Sequence, residues 1–202
     1  MALLFDLFPC LTKFNSDYIP SWTEEDAPWT IFSRDPGGLY SQIEKIVGSP
    51  DGVFIHPSAS IGEFVTIEGP CFIGQDVEIR HSAFLRGGSW ICRGALVGNS
   101  TEVKNSILLP EAKAPHFNYV GDSILGHNVN LGAGTKLSNV RNDRKGIFVT
   151  IEDGSRVDTG LKKMGAIIGD GSQLGCNVVT NPGSLLVPDS MVPPNKNISG
   201  KL

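Results

Sequence analysis

From Ile55 onward an aliphatic residue stands at every sixth position, through Ile61, Ile67, Ile73, Ile79, Leu85, Ile91, Val97, Val103 and Leu109. With aliphatics at about a quarter of all positions, ten successive hits arise by chance on the order of once in a million registers. Four residues after each aliphatic from Ile55 to Val103 comes a mostly small or β-branched residue: Ala59, Val65, Cys71, Val77, Ala83, Ser89, Ala95, Thr101 and Ile107. A helix repeats its apolar positions near 3.6 and a half-buried strand near two, and a period of six matches neither. It is met if each hexad is one short strand and one turn, with large and small side chains alternating inside a narrow triangular coil. Three hexads close a coil, and stacked coils pair strand on strand, so each repeat is stable only against its neighbours. The expected fold is all-β, a parallel β-helix. Gly62, Gly74, Gly98, Gly126 and Gly132 each follow an inward aliphatic, where a tight corner favours a residue without Cβ.

The register breaks after Leu109 and returns at Leu125, Leu131 and Leu137, then at Ile168, Leu174, Thr180, Leu186 and Val192. This places the β-helix at residues 51–192, with loops near 110–119 and 139–166. Loops that interrupt a solenoid are where function concentrates. Residues 1–50 lack the repeat, carry Trp22 and Trp29, and allow a short helix around Leu39–Val47, so they read as a cap or arm in which aromatics pack. Residues 193–202 read as an extended tail.

The 202 residues suffice for one domain with a sizeable core plus this appendage, and the net charge of −4 argues against nucleic acid or an acidic membrane as partner. Cys10, Cys71, Cys92 and Cys176 show no C-x-x-C pairing and read as reduced thiols, neither a zinc site nor a disulfide framework. The apolar start has no basic flank and carries Asp6, which suits neither a secretory signal nor a spanning helix, so a cytoplasmic location is expected. The spacings among His81, His116 and His127 give no metal-ligand pattern, and no metal is expected.

Polar residues gather in KAPHFNYVGDS and in NVNLGAGTKLSN, which hold His116, Tyr119, Asp122, Asn128, Asn130 and Asn139. A histidine, with an ordinary pKa of about 6.5, can take a proton from an attacking amine at neutral pH, and amide donors can hold the oxyanion of acyl transfer. Arg86 and Lys104 are eighteen residues apart, three hexads, so they should stack on adjacent coils. Two converging cations repel unless an anion bridges them, which points to phosphate.

The stretches LRGGSWICRGALVGNSTEVKNS, KAPHFNYVGD and NVNLGAGT, with their mutual spacing, resemble the acetyltransferase half of the bifunctional N-acetylglucosamine-1-phosphate uridyltransferase/glucosamine-1-phosphate acetyltransferase family, a hexapeptide-repeat acyltransferase family. The resemblance implies a left-handed β-helix, a handedness that the period alone leaves open, and a homotrimer. It implies N-acetylation of glucosamine 1-phosphate or a related amino-sugar phosphate from acetyl-CoA, within UDP-N-acetylglucosamine biosynthesis. His116 would be the general base, Arg86 and Lys104 would grip the phosphate, and Tyr119 and Asn130 would orient the sugar. Asn139, Cys176 and the backbone of Ala133 would face acetyl-CoA. A further phosphate lysine would be Lys145, Lys162 or Lys163. The family's Asn-Tyr pair is Asn139-Val140 here, its Gly before the histidine is Pro115, and its cofactor-facing serine is Cys176. Fifty leading residues are too few for a nucleotidyltransferase domain, so none is expected. The alternative is a non-catalytic trimeric module of regulation or assembly, related to sugar nucleotidyltransferases.

Overall fold

The computed structural model describes residues 3–14, 18–22 and 26–201; the remaining positions of the expected arm and tail lie outside the described residues. Three parallel sheets of seven strands form the faces of a triangular β-helix. Face A runs from Val53–Ile55 to Ser184–Leu186, face B from Ser60–Ile61 to Met191–Val192, and face C from Thr66–Ile67 to Asn197–Ile198. The inward residues form one continuous core from Cys71 and Ile73 to Val192 and Ile198. Among the described residues no further coil stacks on the outer side of the first, and Ile55 and Ile61 remain 42% and 38% exposed.

The corners explain the period. The residue with positive φ stands third after the inward aliphatic, as in Phe64, Asp76, Ser82 and Asn128. The glycines singled out by the sequence have a different role: none of Gly62, Gly74, Gly98, Gly126 and Gly132 has positive φ. They lie under the backbone of the next coil; a Cβ on Gly62 would sit 2.6 Å from the His81 nitrogen.

Two corners between faces C and A are one residue shorter, with Asn105 at φ 46 and Asp122 at φ 47 directly following Lys104 and Gly121. Asn and Asp enter the left-handed region more readily than most side chains, which permits the tight turn. Pairing accordingly changes from an offset of eighteen (Cys71 with Ser89) to seventeen (Ser89 with Ser106). This corrects the expected register: Leu108, not Leu109, enters the helix core, and Leu109 is buried outside it. Ser106, not Ile107, takes the small inward position, its Oγ donating to the Lys104 carbonyl at 2.7 Å. Residues 110–119 are likewise no loop. They continue the helix through the strand Lys113–His116, and Tyr119–Gly121 follows at once. The tail also belongs to the helix, since Asn197–Ile198 pairs with Val179–Thr180.

The outward residues of face A form an apolar ladder, Phe54, Phe72, Trp90, Ile107, Ile124, Ile167 and Leu185. The N-terminal arm covers it with Leu4, Phe8, Trp29, Phe32, Leu39 and Ile43, the last two on the helix Leu39–Val47. Phe72 and Trp90 stand 4.9 Å apart, and Trp90 Nε1 donates to the Tyr18 carbonyl at 3.0 Å. Asp170 fastens the arm, accepting from the backbone nitrogens of Cys10 at 2.8 Å and His127 at 2.7 Å. The insertion after Leu137 carries the antiparallel pair Phe148–Thr150 and Arg156–Asp158, and buries Ile147, Val149 and Met164 in the same cluster. Face A is thus occupied, and no helix among the described residues is long and apolar enough to cross a membrane.

Candidate functional site

The short corners between faces C and A build the densest polar cluster. Asn105, Asp122 and Asn139 stack at intervals of seventeen. Asn105 Nδ2 donates to Asp122 Oδ1 at 2.7 Å, and Asn139 Nδ2 donates to Asp122 Oδ2. Asp122 is buried, and its Oδ2 lies 3.6 Å from Lys104 Nζ. Arg86 stands one coil back on the same corner, as its eighteen-residue spacing required. Its Nη1 donates to Glu102 Oε1 at 2.9 Å, and its Nε lies 3.9 Å from Glu68 Oε2.

Tyr119 stacks between Glu102 and Lys136 on face C. Its ring leans over Gly121, where a Cβ would meet the phenol oxygen at 2.6 Å and Asn139 Nδ2 at 2.9 Å. Burial raises the Tyr119 pKa above its ordinary value, and the Glu102 and Asp122 carboxylates add to this against the Asn139 hydrogen bond and Arg86. The hydrogen bond with Glu102 raises that of Arg86 further.

The cluster therefore holds two cations against three carboxylates. The repulsion that pointed to a bridging phosphate is already relieved by Glu68, Glu102 and Asp122. Glu68 and Glu102 were missed in the sequence because they meet Arg86 across coils, whereas Asp122 stood among the polar residues of the sequence and meets Lys104 at the shortened corner.

His116 ends the strand Lys113–His116 of face B, at the corner from which the chain enters face C at Tyr119. It is exposed, and its imidazole has no hydrogen-bond partner among the described residues. It stacks on Asn99, whose Nδ2 reaches His81 Nε2 at 2.9 Å. Ala133 and the exposed Cys176 continue this edge, Ala133 accepting at its carbonyl from the Asn177 nitrogen at 2.8 Å. Asn139 does not: it belongs to the Asp122 cluster, because the short corner brings it over Asp122. Asn130 lies on face B between Lys113 and Gln173, away from Tyr119. Lys145, Lys162 and Lys163 are exposed on the insertion, which departs from the corner at Asn139. A cleft of ≈ 570 Å³ lies beside that departure, lined among others by Ser138, Arg141, Phe148, Arg156 and Asn181. Among the described residues no group of three His, Cys, Asp or Glu is placed to hold a metal ion.

A family model described as GMPPB C-terminal domain matches residues 67–202. The bifunctional sugar-1-phosphate nucleotidylyltransferase/acetyltransferase of Sulfurisphaera tokodaii is 35% identical, with 83% of this chain and 43% of the relative covered. The bifunctional protein GlmU of Methanococcus maripaludis is also 35% identical, over 86% of this chain and 44% of the relative. The chain thus spans less than half the length of these relatives, and the likeness expected from its motifs is present. Among solved structures, the acetyltransferase domain of PglB from Neisseria gonorrhoeae in complex with acetyl coenzyme A aligns with TM-score 0.31 at 15% identity, covering 98% of this chain and 90% of that one. A hexapeptide transferase family protein from Anaplasma phagocytophilum aligns with TM-score 0.37 at 17% identity, covering 73% of each chain.

Proposed function

The chain belongs to the GMPPB C-terminal domain family, and from that premise we propose that it is an acetyltransferase that moves the acetyl group of acetyl-CoA to the amine of glucosamine 1-phosphate or a close amino-sugar phosphate. The observation that carries this reading is the meeting of Arg86, Lys104, Tyr119 and Asn139 at one corner, flanking the face whose other edge bears His116. The phosphate sits at Arg86 and Lys104, a fork and a point charge, and the sugar lies across Tyr119 toward His116. His116 takes the amine proton as the nitrogen attacks the thioester carbonyl, the C–S bond breaks, and coenzyme A leaves as its thiol. The edge of Ala133 and Cys176 receives the acetyl-CoA arm. Lys145 or Lys163 on the insertion reaches the phosphate, and Asn130 on face B serves a sugar held between subunits.

No cysteine nucleophile is needed; Cys92 is buried and burial pushes its thiol far up. With face A taken by the arm, faces B and C are the surfaces left for a homotrimer, and the groove between subunits houses the reaction. The protein is cytoplasmic and acts in UDP-N-acetylglucosamine biosynthesis.

Thiol release from acetyl-CoA with glucosamine 1-phosphate tests the reading. The wild type should release thiol only with the amine acceptor, and His116→Ala should lower the rate by about 10²–10⁴. A second reading, a non-catalytic trimeric module, draws on the saturation of Arg86 and Lys104 by protein carboxylates. No thiol release with any amino-sugar phosphate from folded protein selects it.

A further inference from the structure

We infer that Glu102 reads the charge of the acceptor's amine, admitting the ammonium of an amino-sugar phosphate and disfavouring the acetylated product. The inference rests on the acceptor site proposed above and concerns what that site selects.

Its basis is the distribution of charge and exposure within the cluster. Arg86 and Lys104 are both shared with protein carboxylates, Arg86 with Glu68 and Glu102 and Lys104 with Asp122, so a phosphate that takes them draws positive charge away from those carboxylates. An acceptor that carries a cation beside its phosphate returns positive charge to Glu102, and a sugar phosphate with no amine does not. Of the three carboxylates, Asp122 is 6% exposed in its side chain and saturated by Asn105, Asn139 and Lys104. Glu68 stands 56% exposed and two coils back from Glu102, 3.9 Å from Arg86. Glu102 is 34% exposed, on the middle of face C beside Tyr119, between the phosphate corner and the His116 edge. Arg86 engages Glu102 Oε1, and Oε2 has no hydrogen-bond partner among the described residues.

An amine comparable to an α-amino group, with an ordinary pKa of about 8, is mostly ammonium at neutral pH. It is drawn to Glu102 in that form, loses one proton to solvent to become the free amine, and gives a second to His116 as the nitrogen attacks the thioester. Acetylation turns the cation into a neutral amide: two N–H protons leave, one to solvent and one through His116 to the departing coenzyme A sulfur, the C–N bond replaces the C–S bond, and the attraction to Glu102 ends. The product is then held without the contact of its nitrogen to Glu102, which favours release.

Isothermal titration calorimetry of the full chain with glucosamine 1-phosphate and glucose 1-phosphate tests this, the second ligand carrying a hydroxyl where the first has the amine. The wild type should bind the amine at least about tenfold more tightly, a difference of roughly 1.4 kcal/mol. Glu102→Gln should bring the ratio near one, losing on the amine and gaining on glucose 1-phosphate, a gain that a damaged fold would not produce. Glu102→Asp, which keeps the charge, should retain a preference. A Glu102→Gln protein with the wild-type ratio overturns the inference and leaves the acceptor reading standing. Wild-type protein that binds neither ligand overturns the acceptor reading and this inference with it.

Discussion

Gly98 lies so closely beneath Pro115 of the next coil that a Cβ built on it would overlap the Pro115 carbonyl. The obstacle is backbone, which gives way only if the coils separate. Gly98→Ala should cost on the order of 3 kcal/mol, the upper range for overpacking. Urea unfolding monitored by circular dichroism reads it as a lower midpoint at unchanged slope. A midpoint within error of the wild type would mean the stack yields locally.

Thr180 occupies an inward position between Leu174 and Leu186, and its Oγ1 is buried without a hydrogen-bond partner among the described residues. The hydroxyl was desolvated without replacement of its water contacts. Thr180→Val keeps the branched shape and should stabilise the protein by about 1 kcal/mol. Thermal unfolding should show a higher midpoint, and a fall would point to a donor role for the hydroxyl.

The four thiols should divide sharply. Cys176 is exposed, whereas Cys10, Cys71 and Cys92 are buried. Burial pushes the Cys71 thiol from 9.0 up to about 12 and raises those of Cys10 and Cys92 as well. A native thiol titration at pH 7.5 should count one reactive group per chain, and a denatured one should count four. The same shifts set an alkaline limit. The unfolded chain gives up these protons from about pH 9 while the folded chain holds them, so stability should fall as pH rises from 9 toward 12. Stability that stays level across that interval would contradict the burial of Cys71.

Arg86 is partly exposed and held by the partly exposed carboxylates Glu68 and Glu102 and by the Phe84 ring 5.8 Å away, so Arg86→Ala should change folding stability by less than about 1 kcal/mol. In acetyl transfer it should raise the acceptor KM by about ten- to a hundredfold, as expected for one charge-assisted phosphate contact, and leave the KM for acetyl-CoA within about twofold. Equal damage to both constants would remove Arg86 from the acceptor side.

Much of the architecture was legible before any coordinates, because a solenoid's packing rule repeats locally. Ile73, Ile79, Leu85, Ile91, Val97 and Val103 all reach the core on the strength of spacing alone. The Arg86–Lys104 stack followed from the same arithmetic. The reading failed where a single residue mattered, at Asn105 and Asp122. Deleting one residue from a corner leaves Leu109 looking as suitable as Leu108, since both are leucine and both are buried, one inside the coil and one beneath the arm.

What the sequence determined by itself was therefore the period, the stacking and the list of polar residues on two edges, all consequences of short-range repetition. Only the tertiary structure decided how those edges are charged and which face is covered. Glu102 meets Arg86 across a coil boundary, Asn139 reaches Asp122 because two corners are short, and the arm claims face A by burying Phe72 and Trp90. Each is a contact between residues distant in the chain, and such contacts leave no periodic trace in the order of residues.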